Sequence, residues 1–470
     1  MPPRRATALV AAATAGLLAL SAVTGAAGAQ PSPTVGSLGA GDPYFPLQGN
    51  GGYDVAHYDL YVEYDPSTHN YIGTTRFSAT TTQALTRFDV DLRSSLQVTS
   101  VSVDGRTATS TRPAALQQEL VITPARPLRA GQQFSVEVQY LGQPSPVRDP
   151  DGSLDGFIPT PDGAFVASEP QGAPTWFACN DTPADKATYT INTVTPEAVY
   201  VLSNGTMLAS HTAGGQNYQT WSMTTPIPTY LVTVTMGTWQ TDYGTTPRGV
   251  PYVTAVDPSQ VAASRPALAA LPDIVDWFSS QFGPYPFDSA GAIIDDAPQV
   301  GYALETATKP VFDRAPDVAT MAHELAHQWF GDSVSLGRWR DIWLNEGFAE
   351  FASWLYVEHT GGEVTAQRLA DLLKRPASST VWNPPPANPG GGDQIFSDSV
   401  YERGAAALAA LRQQLGDLTF LPMLRAWATA HRYGTATVDQ FRSFASRYTG
   451  RDLTAFFHTW LDQPGKPSRW

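Results

Sequence analysis

Four side chains in the second half of this chain have the types and spacing to hold one divalent cation and a reactive water. They lie in His323-Glu324-Leu325-Ala326-His327 and in Asn345-Glu346-Gly347, with eighteen residues between His327 and Glu346. On a helix, His323 and His327 are four apart and project from one face. Two imidazoles on one face can hold the same metal, and Glu324, next to the first, can reach a metal-bound water as general base. A third protein ligand leaves one position open, and Glu346 is the candidate for it. Two His, one Glu and water form the ligand set of a hydrolytic zinc site, with one Zn2+ per chain. Two surface histidines on an amphipathic helix would be the plainer reading of the first string alone. The second string argues against it: Glu346 stands among Trp343, Leu344 and Phe348, and a carboxylate in apolar surroundings needs a partner.

The elements that must position these groups can be read in outline. Asp317 to Phe330, preceded by Pro316 and stopped by Gly331, is the expected helix for both histidines; Glu346 to His359, stopped by Gly361-Gly362, is the next. Ala263 to Phe282 reads as an earlier helix ended by Gly283-Pro284, and Gly291 to Ile294 as a short strand. Segments 405–415, 420–431, 438–448 and 453–461 read as further amphipathic helices, and 374–399 as a long loop, a length usually functional or mobile. The first half is different. Ala56, Tyr58, Leu60, Val62 and Tyr64 alternate with polar neighbours, and Phe88-Val90-Leu92 and Phe134-Val136-Val138 repeat the period of two. Residues 53–245 therefore read as one all-β domain and 246–470 as a mainly helical one, behind a Pro/Gly/Ser-rich, flexible lead-in at 30–52.

Composition narrows the class. With 43 acidic against 29 basic residues the chain carries a net charge of −14, which argues against nucleic-acid and anionic-membrane partners. The single cysteine, Cys179, rules out an internal disulfide and reads as a small buried apolar residue. Arg4-Arg5, the apolar run 6–23 and Ala27-Gly28-Ala29 have the form of an export leader cleaved near Ala29. The expectation is a secreted chain without a stable membrane anchor.

Several strings in order resemble the M1 family of zinc aminopeptidases: His323-Glu324-x-x-His327 with Glu346, Trp343-Leu344-Asn345-Glu346-Gly347-Phe348-Ala349, Gly301-Tyr302-Ala303-Leu304-Glu305, Tyr401-Glu402-Arg403-Gly404, Phe282-Gly283-Pro284-Tyr285-Pro286 and the closing Trp460-Leu461-Asp462. The resemblance implies an α+β multidomain architecture, with a saddle-like N-terminal β domain before a thermolysin-like catalytic domain. It implies a short form without the large C-terminal helical domain of many members, and so a more open cleft. It also implies roles: Tyr401 as oxyanion donor, Glu305 as anchor for the substrate's free amine, Glu169 as a second anchor, and Gly301 as the point where substrate backbone lies close along a strand edge. The implied partners are peptides with a free N-terminus, acted on by a monomer. Three departures stand out: Leu304, Thr306 and the wording of 174–181.

Two other readings stay open from sequence. A thermolysin-type zinc endopeptidase shares the His-Glu-x-x-His plus Glu logic, but spaces its Glu one residue further on and uses a His for the oxyanion. A silent peptide-binding module would tend to lose Glu324 or a ligand, and all are present. Glu350, one turn past Glu346, can orient a ligating His or simply face solvent, and Asp341 has the same ambiguity.

Overall fold

The computed structural model describes residues 34–468. The export-leader reading of 1–29 lies outside them. Among the described residues no helix is long and apolar enough to cross a membrane.

The alternating segments of the first half form three sheets. The largest has eight strands, and at its centre Tyr53–Asp65 pairs antiparallel with Asn70–Thr81 and parallel with Ala187–Pro196. Tyr58, Leu60, Val62 and Tyr64 point into the core as expected. Ala56 does not: a bulge between Val55 and His57 resets the parity, so Val55 is buried and Ala56 is exposed. The strand Leu85–Asp91, in a second sheet of four, is covered on both faces from Phe88 onward and buries Asp89 and Asp91 beside Phe88 and Val90. The third sheet has five strands; Leu154–Pro159 and Ala164–Ala167 form its inner hairpin, which leads directly to Glu169.

The helical half is organised around another five-stranded sheet, in the order Gln240–Thr245, Pro251–Val256, Ala290–Ile294, Val311–Phe312, Ala303–Leu304. Its first two strands make an antiparallel hairpin. The division drawn from sequence at 245/246 therefore falls inside a turn of one sheet, because a hairpin and an interdomain linker carry the same Gly/Pro signature. Helix α1 (Val261–Phe282) packs on this sheet, and α2 (Val318–Ala326), α3 (Trp343–His359), α4 (Thr365–Leu372), α5 (Gly404–Leu415), α6 (Asp417–Ala430), α7 (Val438–Thr449) and the short α8 (Thr454–Phe457) pack largely on one another beyond it. Helix α4 answers to none of the expected helices, and α2 is shorter than the expected 317–330. Asp317 caps α2 by accepting from Thr320 N at 2.7 Å, but the helix ends at Ala326 and the chain continues in tight turns to Phe330.

Two segments expected to be loose are pinned. In the lead-in, Thr34 N donates to Ala84 O at 2.8 Å, while Asp42 Oδ2 and Gln48 Oε1 accept from Trp339 N and Nε1, both at 2.8 Å. The described part of 30–52 is thus an ordered strap from the β half to the helical half; its composition signals irregular backbone rather than mobility. The 374–399 segment buries Val381, Trp382 and Ile395, and Tyr44 of the strap donates its hydroxyl to Asn388 Oδ1 at 2.6 Å.

Candidate active site

Helices α2 and α3 bring the predicted ligands together. His323 lies in the last turns of α2, His327 is the residue that ends it, and Glu346 sits in the first turn of α3. There the helix dipole favours a carboxylate. Nε2 of His323 is 3.3 Å, and Nε2 of His327 3.4 Å, from the same oxygen, Glu346 Oε2. One donor atom from each residue lies within 4.8 Å of the other two.

The far side of each ring fixes its orientation. His327 Nδ1 is 3.0 Å from the carbonyl of Phe330, which can only accept, so Nδ1 carries hydrogen and the neutral ring directs a lone pair from Nε2 at Glu346. His323 Nδ1 is 3.2 Å from Glu350 Oε2, whose other oxygen accepts from Trp354 Nε1 at 2.6 Å. Glu350 is therefore the orienting carboxylate, the role sequence left undecided. Two lone pairs and a carboxylate oxygen converging this closely repel unless positive charge lies between them. Without a cation, protons supply it. Burial pulls His327 down, but Glu305 and Glu346 outweigh it and hold the ring at about 9. Burial pushes Glu346 up, yet His327 and His323 bring it to about 2. A dication bound by two neutral imidazoles and one carboxylate meets the same demand and leaves a fourth position open, so the donor set fits a catalytic zinc site.

The remaining predicted residues line one cleft of 370 Å³ with these ligands. Glu324 is buried beside them, its carboxylate within 4.8 Å of donors on His327 and Glu305, and burial raises its pKa against the pull of both histidines. Glu305 and Glu169 meet from opposite halves of the molecule. Their Oε1 atoms are both buried without a hydrogen-bond partner, and burial carries Glu305 to about 7, opposed by His327. Glu305 Oε1 has His327 Nδ1 at 3.8 Å, too long for a hydrogen bond, so both carboxylate oxygens are left to a cationic donor. Gly301 also lines the cleft. Its φ of +89° requires glycine, while a Cβ there would meet nothing and its N–H already donates to Asp313 Oδ2 at 3.0 Å. The open backbone next to it belongs to Ala303–Leu304, an edge strand paired only with Val311–Phe312.

Tyr401 stacks over the His323 ring at 5.8 Å, from a widened turn at Ser399–Arg403 that opens α5. Two features place it. The buried Arg403 guanidinium donates to the carbonyls of Trp382, Thr459, Trp460 and Gln463, nailing the turn to the C-terminal segment. And Gly404 faces Gly347: a Cβ on either would come within 3.0–3.1 Å of the other's Cα and closer still to the Trp343 ring. The residue after Glu346 and the residue opening α5 must both be glycine for α3 and α5 to approach so closely.

Other singled-out residues lie elsewhere. Asp341 accepts from Val438 N at 3.1 Å, and Cys179 is buried with its backbone paired to Asp91. Sequence reasoning missed Asp151, Ser153, Val300 and Phe396 as cleft residues. The Asp149-Pro150-Asp151-Gly152 string announces a turn but not where the turn points.

Comparison with known proteins covers both halves. Residues 55–231 match the Peptidase M1 N-terminal domain and residues 302–460 the Peptidase family M1 domain. Endoplasmic reticulum aminopeptidase 1 of Homo sapiens is 27% identical over 426 residues, which cover 83% of this chain and 45% of that protein. The chain spans about half the length of the curated relatives it matches. An M1 zinc metallopeptidase of Deinococcus radiodurans superimposes with a TM-score of 0.83 at 27% identity, over 92% of this chain and 98% of that one. A mutant of that protein bound to a Tyr-Ser-Ala substrate also aligns at 0.83, with 26% identity over 92% and 99% of the two chains.

Proposed function

The chain belongs to peptidase family M1, and on that premise we propose that it is a zinc-dependent aminopeptidase removing the first residue of peptides with a free N-terminus. The observation that carries this reading is the pair of orphaned carboxylate oxygens on Glu305 and Glu169, in the same cleft as the His323-His327-Glu346 triad. An endopeptidase has no ammonium to bind at that position.

Zinc held by His323, His327 and Glu346 would act as Lewis acid and lower the pKa of a water at the open position toward neutrality. Glu324 takes the proton from the attacking water and returns it to the departing amine. Tyr401 donates its hydroxyl to the oxygen that becomes negative as the carbonyl turns tetrahedral. Burial first, and then Glu346 and its neighbouring carboxylates, hold that phenol well above its ordinary pKa, so it stays a donor. Glu305 and Glu169 accept from the α-ammonium about one residue's length from the triad and so set the first carbonyl against the open position. Ala303–Leu304 offers its free edge to the substrate backbone.

Capped and free substrates test the reading. Glu305→Gln should raise KM for a free-amine amide at least about tenfold, the worth of a charge-assisted hydrogen bond, and narrow the gap to its acetylated counterpart. If wild-type protein cuts acetylated peptides as fast as free ones, the aminopeptidase reading fails and the endopeptidase one takes its place.

We also read residues 1–29 as an export leader and the mature chain as secreted, supported by Arg4-Arg5, the apolar run and Ala27-Gly28-Ala29. Recovery of exported protein starting far from Gln30 would refute this.

A further inference from the structure

We propose that Asp151 selects substrates whose first side chain is long and cationic, as in Arg or Lys. This rests on the aminopeptidase reading and adds the substrate class to it. Once Glu305 and Glu169 hold the ammonium and Tyr401 faces the carbonyl, the first side chain must enter what is left of the cleft. Besides the residues already assigned, the cleft is lined by Val300, Tyr302, Phe396, Ser153 and Asp151, of which Asp151 is exposed. The walls suit an aliphatic stem or a planar guanidinium against aromatic rings. The exposed member is a carboxylate.

Asp151 is built to receive a charge. Its Oδ1 accepts from Ser153 N at 2.9 Å and Ser153 Oγ at 2.6 Å, which fixes the side chain on its turn, and no intramolecular bond to Oδ2 is formed among the described residues. The turn is tied on both flanks. Tyr302, on the cleft's own edge, donates its hydroxyl to Leu154 O at 2.7 Å, and Gln171 Nε2 donates to Asp149 Oδ1 at 2.7 Å. Arg148 Nη1 donates to Gly152 O at 2.9 Å on the same turn but forms no ion pair with Asp151 among the described residues, and the cleft lining includes no Lys or Arg. Carboxylates 151, 169, 305, 324 and 346 share that lining. Two are matched by the substrate amine, one by the metal and one by the water it deprotonates. Asp151 is the one left without a positive partner, and an acidic first residue would meet only repulsion there.

Single-residue fluorogenic amides read the first side chain alone. Arginine and citrulline have nearly the same shape and differ in charge. The wild-type zinc enzyme should favour Arg over citrulline in kcat/KM by about tenfold, because a charge-assisted hydrogen bond at a partly exposed site is worth roughly that. Raising the salt should shrink the ratio. Asp151→Asn should bring the ratio close to one, while the Leu amide is cut within about twofold of wild type, since no interaction with Leu is removed. An unchanged ratio in Asp151→Asn with Leu turnover intact overturns the proposal. So does a wild-type ratio near one. Calorimetry of free L-arginine and L-citrulline on zinc-loaded Glu324→Gln protein, with and without Asp151→Asn, measures the same discrimination without turnover. If no amide is cut but Arg binding still depends on Asp151, the aminopeptidase reading fails while the site stands.

Discussion

Replacing Glu324 with Gln is expected to lower kcat by about three orders of magnitude, within the range a positioned proton-transfer group supplies, with the metal still bound. The reason is its placement. Glu324 is buried beside the ligand triad but is not one of its three converging donors, so the substitution removes a base without removing a ligand. Glutamine keeps the size and the hydrogen-bonding oxygen and loses only the capacity to take a proton. KM for free-amine substrates should change little, because Glu305 and Glu169 remain. Steady-state kinetics with metal analysis of the same preparation checks both halves. A variant that keeps its metal and loses less than about tenfold in kcat would remove Glu324 from the proton-transfer role.

Replacing Glu346 with Gln should act on the metal instead. Partners that merely orient a ligand are worth about 10–100-fold in metal affinity, so losing the charge of a direct ligand should cost more than about 100-fold and take activity with it. Glu346 Oε2 is the atom both imidazoles face, and a neutral amide there leaves a dication with no formal negative charge in its protein ligands. The fold should persist, since the Gly347–Gly404 contact that sets α3 against α5 is untouched. Competition with a fluorescent zinc chelator reads the affinity, and thermal unfolding of the metal-free protein checks the fold. Wild-type affinity in this variant would mean the carboxylate is not a ligand.

The parts of this site legible in sequence are those written locally. Two histidines four apart declare a shared helical face, and a carboxylate amid Trp343, Leu344 and Phe348 declares a buried partner. The helix ends were less legible: α2 stops at Ala326 and α3 begins at Trp343, three residues before the expected start. Those ends depend on tertiary contacts rather than on propensity. Glu305 and Glu169 could be paired only through family resemblance, because they are brought together by the seating of one half of the chain on the other. The same holds for the strap at 34–52, for Asp151 and for the Gly347–Gly404 approach, none of which leaves a periodic trace. Ala56 shows a different limit. A single bulge flips a strand's parity, and alternation alone does not reveal where the extra residue sits.

The account rests on His323, His327 and Glu346 closing on one cation beside Glu324. Anomalous diffraction at the zinc edge, from crystals of the active protein, tests that most directly. One strong peak per chain bounded by the two Nε2 atoms and the Glu346 carboxylate is the expected result. A peak at another site, or active crystals without density between those three donors, would contradict it.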